Sequence, residues 1–209
     1  MMRQTTPDRI TAMRTVTTRL AATVLALACL ATAAAAQEIP SEAEQIAAAV
    51  LPLPVAQRAG AGVMGYRTTG KLEVLRQARN GMRCLADDPS DDEFHVACYS
   101  TSMEPFMARG RALRAAGTKG TQVDTVRFAE VRQGKLRMPT APASLYSLSG
   151  PKGDFDPKSG TAPKSKALFV LYMPNATTAT TGISSVPGKG PWLMYPGTPK
   201  AHLMMSPEM

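Results

Sequence analysis

MRCLADDPSDDEFHVACYS, residues 82–100, is the stretch on which the fold reading turns. MRCLAD (82–87) and EFHVACYS (93–100) both have the composition of strands, and the second alternates apolar and polar positions. The segment between them, Asp87 to Asp92, is acid, Pro and Ser only, a solvated linker between paired strands. Cys84 and Cys98 then stand opposite one another at its base. Three roles compete for this pair. A C-x-x-C redox motif wants only two residues between its thiols, and these stand 14 positions apart. A zinc site wants two further ligands, and His95, three residues before Cys98, falls on the opposite face of a strand. A structural disulfide needs only an oxidising compartment. Calcium in the acidic linker is the other functional reading, but the ligand spacing of an EF-hand is absent.

The first forty residues bear on the compartment. Arg3, Arg9, Arg14 and Arg19 precede an apolar run from Leu20 to about Leu30, and small residues crowd at Ala33 to Ala36. Basic region, apolar core and A-x-A site form the order of a secretory signal peptide. Cleavage is expected after Ala36, leaving Gln37 first and residues 37–209 as one globular domain. A membrane anchor would have to use the uncharged stretch from Leu20 to Gln37, whose second half is mostly Ala and Thr and too weakly apolar. Lipidation of Cys29 is the remaining alternative, although Ala26 stands where a large aliphatic residue belongs. Removal of the leader takes one of the three cysteines, Cys29, so the exported chain keeps an even pair. Cys84–Cys98 is therefore expected as a disulfide in a periplasmic or secreted protein; the Ala- and Arg-rich composition looks bacterial.

Of the 24 Lys and Arg, four lie in the leader, as does one of the 16 acids, which leaves a net charge of about +5. No long basic run exists and aromatics are few, so nucleic acid is not an expected partner. No membrane span is expected once the leader is gone.

Outward from residues 82–100 the chain alternates strands with amphipathic helices. SEAEQIAAAV (41–50) reads as a helix with a Ser41–Glu44 capping box, ended by Pro52 and Pro54. AGVMGY (61–66) and KLEVLRQ (71–77) form a hairpin closed at Gly70, and Asn80-Gly81 is the strongest turn signal in the chain. Residues 100–117 are the clearest helix: Ser102 as cap, Pro105 in the first turn, Met103, Phe106, Met107, Gly110 and Leu113 on one face, Gly117 as stop. Its Arg109, Arg111 and Arg114 read as the wet side or as an anion site. Residues 121–135 admit two readings: Val126 and Phe128 alternate as in a strand, whereas Asp124 as cap and Gly134 as stop suit a short helix, which is the one favoured. Residues 143–150 and 166–174 read as strands, the second interior to a sheet. The tail, 191–207, gives two strands around Pro196-Gly197. The fold class is α+β: a mostly antiparallel sheet with two or three packing helices and a loop-rich C-terminal third.

Catalytic motifs fail on spacing. GISSVPGKG (182–190) lacks P-loop spacing and its magnesium-binding hydroxyl; SGPK (149–152) has Gly-Pro where a helical turn must carry Ser to Lys. G-x-S-x-G and H-E-x-x-H are absent. DFDPKSG (154–160) is explained by turn chemistry. Two histidines remain, His95 and His202, each a candidate general base for a secreted hydrolase. Met204, Met205 and Met209 cluster near His202, a donor set suited to copper, with only His202 and Met204 sharing a strand face. Both residues are also ordinary core components. No cofactor is indicated. The expectation is an exported, non-catalytic protein that binds an unknown ligand or envelope partner, with the hydrolase and the copper binder as alternatives.

Overall fold

The acidic linker does join two paired strands. In the computed structural model, which describes residues 38–188 and 190–206, Cys84 and Cys98 are register partners and are joined by a disulfide. The leader, with Cys29, the Ala36 cleavage position and Gln37, lies outside the described residues, as does Met209.

In chain order the elements are α1 (Glu42–Ala49), α2 (Val55–Arg58), β1 (Gly62–Thr68), β2 (Lys71–Arg76), β3 (Met82–Leu85), β4 (Glu93–Ser100), α3 (Glu104–Ala115), α4 (Gln122–Arg132), β5 (Ala143–Pro151), β6 (Lys166–Tyr172), α5 (Thr178–Thr181), β7 (Trp192–Met194) and β8 (His202–Met205). The strands form one sheet in the order β2-β1-β3-β4-β5-β6-β8-β7. Every neighbouring pair is antiparallel except β1 with β3. The class is α+β, as the sequence implies. β6 is interior, between β5 and β8. The C-terminal third holds irregular stretches at 152–165 and 182–188 together with β6, α5, β7 and β8.

Strand alternation sends side chains to two covered faces. One face carries Val63, Cys84, Val96 and Cys98, packed beneath α1 through Ala49, Val50 and Leu53. The other carries Tyr99, Val170 and Tyr172, packed beneath α3 through Met103 and Phe106, with Phe128 and Val131 of α4 beside them. The helices have legible boundaries. Ser41 and Glu44 make the reciprocal capping box. Gly117 (φ 88°) ends α3: its N–H reaches the Arg114 carbonyl and the Thr118 N–H reaches Leu113, the paired bonds of a Schellman stop. Gly134 ends α4 in the same way.

Two sequence expectations need correction, and the turn at Asn80-Gly81 leads to a pairing the sequence does not announce. Gly81 has the positive φ of a turn, yet Asn80-Gly81 does not join neighbouring strands. β2 is an edge strand, and the chain passes from it across the end of β1 to lay β3 parallel on the other side. The crossing is tight: a Cβ on Gly62 would lie 2.8 Å from the Ala78 backbone nitrogen. Ser102 is not the cap of α3; the Ser100 hydroxyl accepts from the Ser102 N–H and opens a 3-10 turn, Thr101–Met103, that leads into the helix. Asp124 is the third residue of α4 rather than its cap, because it is drawn inward by Arg127 and by Lys200 of the β7–β8 connection (2.8 Å).

Gln45, buried on α1, ties that helix to β1. Past the end of β3, the Tyr66 N–H donates to Gln45 Oε1 (2.7 Å) and Gln45 Nε2 donates to the Tyr66 carbonyl (2.8 Å). The side-chain amide thus stands in for a neighbouring strand and satisfies two main-chain groups that would otherwise be orphaned. Gly65 leaves the room for it: a Cβ there would fall 2.5 Å from Gln45 Oε1.

Candidate functional site

Two clefts flank the acidic loop 87–92, one on each face of the sheet. The first lies under the start of α1. It is a small, partly open pocket of about 140 Å³ walled by Pro40, Ala48, Pro89, Phe94 and Phe155, with Glu44, Gln45 and Asp87 as its polar side chains. An open trough of about 580 Å³ continues from it past Pro40, Glu44 and Phe155 to Glu38, Ile39 and Pro157.

Each wall has a local reason for its position. Phe94 faces inward because β4 alternates, and it is fully covered with Val96 and Ala48. Phe155 is carried by the β5–β6 connection, which buried Asp154 holds in shape: its carboxylate accepts from the Lys164 N–H (3.0 and 3.2 Å) and the Ser165 hydroxyl (2.6 Å). Asp156 then accepts from the Lys158 and Ser159 N–H groups, and its own N–H bonds the Thr161 carbonyl, closing the turn. Asp87 and Pro89 come from the acidic loop, whose base the disulfide pins. For a closed loop of about 15 residues such a link contributes about 3 kcal/mol.

The polar groups of this pocket are of one kind. Both Nε2 hydrogens of Gln45 are spent on the Pro40 and Tyr66 carbonyls. Glu44 accepts the Ser41 hydroxyl and N–H through Oε2, which holds its pKa below the ordinary value. Asp87 accepts the His95 N–H through Oδ1 at 2.7 Å. Glu44 Oε1 and Asp87 Oδ2 have no partner among the described residues. Burial pushes the Asp87 carboxyl up to about 6, against the His95 bond and with help from Asp91 and Asp88. A half-buried carboxylate shifted by desolvation in an apolar pocket is a recognised mark of a binding or catalytic site.

The second cleft, about 560 Å³, runs between the C-terminal half of α3 and the β1–β2 hairpin. Met64 and Leu72 line its floor, with Tyr66, Lys71, Asp88, Arg111 and Arg114 around them. Here donors prevail. Arg111 donates to Tyr99 Oη (2.8 Å) and Glu104 (2.6 Å), and Tyr99 Oη donates to Glu104 at 2.6 Å. Arg83 adds a longer contact to the same carboxylate. Lys71 pairs with Glu73. Arg114 alone of these cations has no ion pair among the described residues. Burial and then Asp88 hold the Tyr66 phenol well above its ordinary pKa, so it stays a donor to Asp88 at 3.2 Å. Of the three arginines read as a wet helix face, Arg109 and Arg111 are therefore engaged, Arg109 bidentately with Glu130 of α4, and only Arg114 is free.

The two histidines do not meet. His95 projects from β4 with its side chain exposed, and His202 is buried on β8; β5 and β6 lie between those strands, and the register sets the two histidines six positions apart along them as well. His202 Nδ1 lies 2.7 Å from the Lys200 carbonyl, and its ring sits between Tyr172 and Tyr195. Burial lowers its pKa, and neither histidine lines either cleft. Met204 shares the His202 face, as its strand spacing requires, and packs with the Tyr99, Phe106 and Val170 cluster. Among the described residues no three His, Cys, Asp or Glu side chains converge as a metal-ligating group. Nor is any helix among them long and apolar enough to cross a membrane.

Sequence reasoning passed over Glu44, Phe94 and Phe155 as site residues and took Asp87 as part of a solvated loop. The available signal was Phe155, a large aromatic residue set inside a polar turn between two aspartates.

No family model, curated protein or solved structure matches the chain. The two clefts are therefore the basis for a functional reading.

Proposed function

We propose that this chain is an exported, non-catalytic binding protein, periplasmic or secreted, whose ligand sits in the pocket under α1 between Phe94 and Phe155. The observation that carries the reading is the pocket itself: concave, mainly apolar, and edged by two carboxylates each with an oxygen that has no partner among the described residues. Binding sites commonly combine such walls with a few convergent polar groups. The disulfide and the order of the leader support export. His95 and His202 both lie away from the two clefts, so a hydrolase using either ring as its base has less support than a binding site.

The test is a fragment screen by two-dimensional NMR on the exported protein. Binders should cluster their shift changes on Ala48, Asp87, Phe94 and Phe155, and Phe155→Ala should abolish them. Hits confined to other surfaces would remove the proposal. The competing readings are decided alongside. Turnover of any ester or peptide substrate that His95→Ala or His202→Ala eliminates would establish a hydrolase. Stoichiometric copper lost in His202→Ala and Met204→Leu would establish a metal binder.

A further inference from the structure

Taking the pocket under α1 as the ligand site, we infer that its ligand is a small organic cation, an ammonium group bearing methyl or methylene substituents. The inference rests on that reading and adds the charge and size of what enters. The side-chain inventory decides the sign. Gln45 has no donor left, and the two remaining polar groups, Glu44 and Asp87, are carboxylates. Ionised carboxylates only accept hydrogen bonds, so the side chains offer a ligand acceptors and no donor. An anion or a neutral acceptor finds no side-chain donor there. A cation finds two opposite charges supplied from separate elements, α1 and the β3–β4 loop.

The walls suit the same guest. Phe155, only partly buried, lines the cavity together with the covered Phe94, and aromatic faces attract alkylammonium ions through the ring quadrupole. The volume, about 140 Å³, matches cavities that hold one benzene-sized body, the scale of a trimethylammonium head. The trough beyond adds Glu38 and gives the remainder of a larger ligand a path outward.

Asp87 must be ionised to serve, and several charges bear on it. Asp88 and Asp91 lie on its own loop, Lys152 lies at the end of β5, Glu44 stands on α1, and the His95 main-chain N–H bonds it from β4. With the carboxyl titrating near 6, cation affinity should fall as the pH drops through that value.

The experiment compares choline with 3,3-dimethylbutan-1-ol, its uncharged shape analogue, by calorimetry and NMR on the intact protein at pH 7.5. Choline is expected to bind with shifts at Asp87, Phe94 and Phe155, at least tenfold more tightly than the alcohol. Asp87→Asn, which keeps the oxygen that accepts from His95, should cut choline affinity at least tenfold while leaving the alcohol unchanged. Equal binding of both probes would overturn the cation and leave the pocket as an apolar site. Binding of neither, with fragments also failing there, would overturn pocket and cation together. A folded Asp87→Asn protein, by its thermal transition, that retains full choline affinity would overturn the role of Asp87.

Discussion

The two sides of the acidic loop make an instructive pair. Asp87 and Asp88 are adjacent in sequence and identical in chemistry, yet one edges a pocket under α1 and the other a cleft under α3. Asp88 is less deeply buried, and bonds from the Ser90 hydroxyl and N–H and from Tyr66 outweigh the effect of burial and hold its pKa below the ordinary value. Asp87 has a single main-chain donor, and burial prevails. Shallower burial and a larger number of hydrogen bonds together separate Asp88 from Asp87. The surroundings follow the same division: spent donors and free acceptors on one side, arginines and a phenol on the other.

Opening the disulfide should disturb this pairing most, because it pins the loop that both clefts share. Cys84→Ala/Cys98→Ala is expected to lose about 3 kcal/mol of stability, read by urea denaturation at pH 7. An unchanged midpoint would mean that the strands alone hold the loop. Gln45→Ala comes next and acts on the α1 side only. It strands the Tyr66 N–H and carbonyl, at about 1–3 kcal/mol, and exchange of the Tyr66 amide should quicken while the α3 side keeps its protection.

Asp87→Asn separates the two carboxylates directly. A folded-state pKa near 6, above the ordinary 3.8, means that the folded protein keeps a proton which the unfolded chain has released. Stability from this group therefore falls as the pH rises from about 4 to 6, and the cost persists above that window. Allowing for solvent screening at a half-exposed site, the Asn variant should gain about 1 kcal/mol at pH 7.5 and nothing at pH 3. Asp88→Asn should lose stability at pH 7.5 instead, so the two variants have opposite signs. Arg114→Ala, at an exposed and unpaired position, should change stability by less than about 0.5 kcal/mol; a larger loss would reveal a partner in the cleft under α3.

Much of this architecture is legible from residues 82–100 outward because its determinants are local. Alternation at Phe94, Val96 and Cys98 gives β4 its buried face, and the Ser41–Glu44 box and Gly117 mark helix ends within a few residues of sequence. What escapes depends on distant partners. Nothing near Asn80-Gly81 says that β3 will lie beside β1, since the reason is the clearance above Gly62, some 20 residues earlier. Asp124 has the chemistry of a cap and loses that role to Lys200, from the far end of the chain. The site follows the same rule. Glu44 is read correctly as a capping residue, but its second oxygen becomes part of a pocket only when Asp87 and Phe155 arrive from two other loops.

The amide of Gln45 has a consequence for traffic. Because it is bonded to the β1 main chain on both donor and acceptor atoms, α1 cannot swing from the sheet like a hinged lid without breaking those bonds. Whatever occupies the space beneath it must come and go sideways, over Ile39 and Pro157, and the sequence around those two residues sets how wide that doorway is.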